Sequence, residues 1–295
     1  MPTPTDPTLY VAISLAVLSA GIMFLLHCRL KASQKRRIGS ILNQLALSRQ
    51  LLTDLQQHRG LSNGLLSGDV QLKSQVEGLA HRVDRSMSTA SKFQTPFNAR
   101  WQELHEQWRV IKQVVGKTAT QNLTDHNRLI RDVIYLIEDT ATQIDLSQGN
   151  RNLAHLSTIW RDVIQAAEWS GQARALGTGI AASGSSTSQQ RVRMRFLHQK
   201  VQELTARAFS HLENNTGDSA ALAQTRPAIN HFLECIEKEL IAPQGPSIDT
   251  RAYFDRASKA VDGLLALMDA AIVDLRKYHS LKTSVQILPS RNGST

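Results

Sequence analysis

From Ile38 to about residue 285, apolar residues recur at steps of three and four, and period-two alternation is hard to find. That spacing puts the apolar side chains on one face of a helix, so the pattern predicts an all-α chain. Breakers divide it into about eight helices, near residues 38–67, 70–92, 97–116, 123–146, 151–182, 189–213, 220–241 and 250–284. Gly68-Asp69, Thr95-Pro96, Gly116–Thr120 and Gly149-Asn150 mark the first gaps, and Ser183–Ser188 and Asn214–Asp218 read as loops. Pro243–Ser247 breaks the chain before the last helix. Two stripes are continuous: Ile130, Val133, Ile134, Ile137, Ala141, Ile144, and Val261, Leu264, Leu265, Met268, Ile272, Leu275. Short connections between such helices favour antiparallel neighbours. The expected architecture is two linked four-helix bundles over residues 38–285, followed by a disordered tail at 286–295.

The N-terminal pattern is different. Leu9 to Leu26 is an uncharged, largely apolar run of 18 residues, just long enough to cross a bilayer core. The tail at 1–8 carries only Asp6, whereas Arg29, Lys31, Lys35, Arg36 and Arg37 follow the run. The expected transmembrane helix is 9–28, with a basic juxtamembrane segment at 29–37. The positive-inside bias then predicts a single-pass protein of the inner membrane whose soluble domain is cytoplasmic. A cleaved signal would want positive charge before the run and small residues after it, and neither is present. Bulky Leu26 and His27 before Cys28 argue against a lipoprotein signal. The basic cluster could also hold anionic headgroups, at about 1 kcal/mol per residue.

Composition mainly excludes. Net charge is +9 and the pI near 9.8, but no basic stripe with interleaved aromatics stands out, so nucleic acid is not an expected partner. Cys28 and Cys235 cannot form a useful staple when one borders the membrane. The ten histidines include no His-x-x-x-His pair, and no Cys-x-x-Cys occurs, so no metal site is expected. There is no phosphate-binding Gly loop and no Gly-x-Ser-x-Gly elbow. Neither a catalytic residue nor a cofactor is expected.

Three arginines interrupt the apolar seams. Steps of three and four join Leu45, Ser48, Leu52, Leu55, Arg59, Ser62 and Leu66; they also join Leu156, Trp160, Val163, Ala167, Ser170, Arg174, Gly177 and Ala181. A third seam runs Leu222, Arg226, Ile229, Leu233, Ile236, Leu240, with Pro227 suggesting a helix start beside Arg226. An arginine inside a bundle keeps its charge and costs several kcal/mol if left unpaired. No acid is obvious near Arg59 or Arg174 in these seams, so a small planar oxyanion is a natural partner for the guanidinium fork. Gly60, Gly64, Gly171, Gly177 and Gly179 lie within the same two helical patterns, each costing about 1 kcal/mol relative to alanine. Close backbone approach around a small pocket would offset that. The bland alternative is capping glycines and arginines that snorkel to a rim.

The segments LLTDLQQHRGLSNGLLSGD (Leu51–Asp69) and AAEWSGQARALGTGIAASG (Ala166–Gly184) resemble the two signatures of the nitrate- and nitrite-sensing (NIT) domain family. The first signature is a leucine–glutamine run followed by Glu-Arg-Gly and a serine, the second Glu-x-x-Gly-x-x-Arg-Ala. The resemblance implies an all-helical sensing module in which arginines from separate helices line an anion site, and it carries that role to Arg59 and Arg174. Arg226 is a further candidate on spacing alone. Two departures, His58 for the usual Glu and Ala173 for an acidic residue, make the expected local field more positive.

The expectation is therefore a membrane-anchored sensor that binds nitrate or nitrite and signals through a separate partner, since the chain leaves no room for the output domain usual in the family. An exposed stripe would allow a homodimer. The alternatives are a helical scaffold or adaptor that binds no ligand, and a receptor for another small anion.

Overall fold

The chain is described by a computed structural model covering residues 7–93, 95–114, 116–144, 156–216 and 220–285. The described residues are helical, with no strand among them. The expected tail at 286–295, residues 1–6, and the Gly149-Asn150 break lie outside them.

α1 runs without interruption from Pro7 to Leu66, so the helix expected to begin near residue 38 is continuous with the apolar run before it. Its 60 residues extend about 90 Å at 1.5 Å each. Between Leu26 and Gly39 the chain carries mostly Leu, Arg, Lys, Ala and Gln, all good helix formers, so nothing stops the helix leaving the apolar run. Its N-terminal apolar window is not buried against the chain, and it is long and apolar enough to cross a membrane. Burial begins at Ile41, Leu42 and Leu45.

A 3-10 turn (Val70–Leu72) leads into α2 (Lys73–Ala90), then α3 (Asn98–Ile111) and α4 (Ala119–Thr142). Thr118 and Gln121 form a reciprocal capping box that starts α4 four residues earlier than the apolar pattern suggested. These three helices and α1 make the first bundle. Arg82 on α2 reaches Asp54 on α1 at 3.0 Å, Trp108 on α3 donates to Asp84 on α2 at 2.8 Å, and Gln107 on α3 donates to Asp132 on α4 at 3.0 Å.

The second bundle begins with the short α5 (Leu156–Thr158), which passes through a π turn (Ile159–Val163) into α6 (Ile164–Ser183). Gly184, in the left-handed region at φ 60°, terminates α6. α7 (Ser188–Thr216) returns antiparallel, with Arg193 bonded to Gln172 and Arg207 to Asp162. α8 (Ala220–Cys235) ends in a second π turn (Ile236–Leu240), and α9 (Thr250–Val285) closes the bundle.

α1 joins the two halves. Gln56 meets Glu168 and Asn63 meets the Ala175 carbonyl, so α1 and α6 run parallel. Arg49 meets Asp269 and Arg276 meets Asn43, so α9 runs antiparallel to α1. Both expected stripes, Ile130–Ile144 and Val261–Leu275, are buried. The two linked bundles anticipated from the apolar pattern are present.

Candidate functional site

Arg59 is fully buried, as its seam position requires. No acid lies in the seams themselves, but Glu168, beside the α6 seam and one of the residues of the second signature, stands against Arg59. Arg59 Nη1 donates to Glu168 Oε1 at 2.5 Å and Nη2 to Oε2 at 3.2 Å, the two-pronged geometry that suits a guanidinium. Nη1 also donates to Asn127 Oδ1 at 2.7 Å. Glu168 receives two further bonds, from Gln56 and Gln172, each at 3.0 Å. Gly171 explains its own presence: a Cβ there would stand 2.8 Å from Arg59 Nη2. The helical cost of that glycine is offset by the packing of a guanidinium flat against α6.

Arg174 lies three residues after Gly171 and is 1 % exposed. It has no carboxylate within ion-pair distance among the described residues. Nη1 donates to Ser258 Oγ at 3.0 Å, and the guanidinium carbon stands 5.2 Å from the Phe254 ring centre. Its Nε has no partner among the described residues, nor do Arg59 Nε and the Ser170 hydroxyl. Burial, and then the charge of Arg59, push the Arg174 pKa down to about 10, so it remains a cation at neutral pH. Ser258 and Phe254 are only half-buried, so α9 separates this cation thinly from solvent. Tyr253 fixes α9 here by donating to the Ala173 carbonyl at 2.8 Å.

His58 adds no positive charge of its own. His126 Nδ1 lies 2.8 Å from the Asn122 carbonyl, which can only accept, so that nitrogen carries the proton. His126 Nε2 then accepts from His58 Nδ1 at 2.9 Å, and His58 Nε2 is left as a buried acceptor without a partner among the described residues. Burial, followed by the charge of Lys117, lowers the His58 pKa to about 4; burial first, then His58, drives that of His126 well down. Both rings are neutral at pH 7. Asn122 extends the line by donating to Ser62 at 3.0 Å.

Arg226 is not brought to the pair. It is exposed, bonds Glu213 on α7, and stacks 5.1 Å from the Phe209 ring centre. A step of three rather than four carries the α8 seam from Leu222 to Thr225, whose hydroxyl donates to the Gly263 carbonyl at 3.0 Å. That close contact with α9 rotates Arg226 outward. Pro227 lies within α8 rather than at its start. A surface cleft of about 690 Å³ between α8 and α9 is lined by charges of both signs, among them Glu234, Lys238, Arg256 and Lys259, and by neither Arg59 nor Arg174.

Seam position identified Arg59 and Arg174, but it could not identify Asn127, Ser258 or Phe254, which arrive from other helices. Asn122 and His126, polar residues one turn apart on the buried stripe of α4, were the available signal for the histidine line.

Two linked helical bundles, with one buried arginine on α1 and another on α6, define an all-helical module. A family model described as nitrate and nitrite sensing (NIT) matches residues 50–276, and the chain belongs to that family. The match starts inside α1 and leaves most of that helix, with its apolar run and basic cluster, outside. Among solved structures, that of the NasR transcription antiterminator aligns with a TM-score of 0.55 and 18 % identity, covering 89 % of this chain and 75 % of that one. At that identity the likeness concerns the fold. No curated protein sequence matches the chain.

Proposed function

We propose that the protein is a nitrate or nitrite sensor in which the oxyanion is held where Arg59 of α1 and Arg174 of α6 meet. The observation that carries this reading is Arg174: a buried cation that no carboxylate within ion-pair distance neutralises among the described residues. Such a charge costs several kcal/mol unless it is compensated, and a small anion would compensate it. Ser258 accepts from Arg174 and keeps its own hydroxyl proton as a donor, and the Nε atoms and the Ser170 hydroxyl, without partners among the described residues, add donors.

Leu9–Leu26 would tether the module to the inner membrane, and the basic residues Arg29–Arg37 would keep residues beyond them in the cytoplasm. Binding would favour one packing of α1 against α6 and α9 over another, and a separate signalling protein would read the difference. α1 links the site directly to the membrane segment, so any shift at Arg59 acts on one continuous helix.

One observation favours the second reading, a ligand-free helical scaffold: the Arg59–Glu168 pair already satisfies most of one arginine. Calorimetric titration of the full chain in lipid nanodiscs decides between them. Saturable binding of nitrate or nitrite supports the sensor, and heats indistinguishable from dilution support the scaffold. Binding of a different small oxyanion in preference to both would keep the site and change the ligand.

A further inference from the structure

Among the described residues, His58, Arg59, His126, Glu168 and Arg174 lie fully or almost fully buried around the meeting of α1, α4 and α6, and the two histidines are neutral. His58 and His126 share a proton-donor chain that leaves both uncharged. The remaining charges are the guanidiniums of Arg59 and Arg174 and the carboxylate of Glu168. Asp54, the other buried acid among the described residues, pairs with Arg82 on the far side of α1, at 3.0 Å. Lys117, whose charge reaches the histidines, is offset by Asp125 at 2.9 Å. Asp262, which acts on Arg174 from α9, is exposed and screened by solvent. Among the described residues, the buried site therefore holds two positive charges and one negative.

We infer that Glu168 sets the valence of the anion that the site accepts: it cancels one of the two arginines and leaves room for a single negative charge. This rests on the sensor reading and extends it from the arginines to a residue that discriminates among their ligands. A monoanion such as nitrate or nitrite brings the buried site to neutrality. A dianion such as sulfate leaves a net negative charge in a medium that solvates it poorly, even though sulfate offers more oxygens for hydrogen bonding.

The geometry keeps Glu168 in place while ligand binds. Its carboxylate accepts four hydrogen bonds, from Arg59 twice, Gln56 and Gln172, so it is an ordered anion rather than a mobile one. The donors that remain without partners among the described residues, Arg59 Nε, Arg174 Nε and the Ser170 hydroxyl, are not the ones it uses. Glu168 would thus shape selectivity by charge without touching the ligand.

The test is the ratio of nitrate to sulfate affinity for the full chain in nanodiscs at constant ionic strength. The native chain should bind nitrate and prefer it to sulfate. Glu168→Gln, of nearly equal size, should shift the ratio toward sulfate at least tenfold, whereas Glu168→Asp should keep the native preference. Gln172→Lys, at a half-buried position, supplies an ammonium to Glu168 and should move the ratio the same way by at least threefold; it serves if Glu168→Gln does not fold. An unchanged ratio in the folded neutral variant, with nitrate still bound by the native chain, overturns the valence inference and leaves the sensor standing. Absence of oxyanion binding by the native chain and by every folded variant removes both.

Discussion

The Tyr253 ring occupies the place that a side chain on Gly177 would need: a Cβ at residue 177 would fall 2.2 Å from the phenol oxygen. α6 and α9 meet there at a distance only glycine permits, and the same contact sets Ser258, five residues further along α9, against Arg174.

Gly177→Ala should therefore destabilise the protein by about 2–3 kcal/mol through overpacking, despite a helix-propensity gain of about 1 kcal/mol. Gly78 in α2 has nothing within 4 Å of the place its Cβ would take, and it serves as the opposite control. Gly78→Ala should stabilise by up to about 1 kcal/mol. Denaturant unfolding of both variants measures the two signs side by side, and equal effects would contradict the close packing at Tyr253.

Acid should weaken the fold through the buried histidines. His58 has its pKa lowered to about 4 by burial and then by Lys117, against an ordinary value of 6.5. Below pH 6.5 the unfolded chain takes up protons that the folded one refuses, so stability is full above that pH. It should fall as pH drops from 6.5 toward 4, by up to about 3 kcal/mol for this group. His58→Gln should make the fall shallower. Melting temperatures from pH 7.5 to 5 test this, and parallel curves for the two proteins would contradict it.

The apolar pattern revealed the helices, both bundles and the two buried arginines, because each is a property of one helical face. What it could not reveal depends on pairs of helices. Glu168 neighbours Ala167 on the seam of α6 yet meets Arg59 across 109 residues, a contact that periodicity does not encode. Thr225 and Arg226 fit the α8 seam equally well by spacing, and only the approach of Gly263 decides for Thr225. The continuity of α1 was hidden because the charged turn after Leu26 loses its apolar stripe while keeping its helix formers.

Membrane orientation has its own test. Protease added to intact spheroplasts should leave residues beyond Arg37 uncut if the basic cluster is cytoplasmic. Digestion of the helical module in that experiment would place it on the other side of the membrane.

The two arginines should differ in their structural cost. Arg59→Met strands Glu168 in the core without its cation, and should cost about 3–5 kcal/mol in the ligand-free protein. Arg174→Met removes a cation that has no carboxylate partner within ion-pair distance among the described residues and keeps most of its volume, so ligand-free stability should hold or rise.

Nitrate titration of Arg174→Met, read beside its ligand-free melting curve, tests the central claim most directly. Each charge-assisted hydrogen bond lost contributes about 1.5–3 kcal/mol, so affinity should fall at least tenfold. Arg174→Lys should also weaken binding, because a point charge lacks the planar fork. The account predicts lost binding with an unchanged or higher melting temperature. Native-like nitrate binding together with a lower melting temperature would show Arg174 to be a structural residue and would contradict the site.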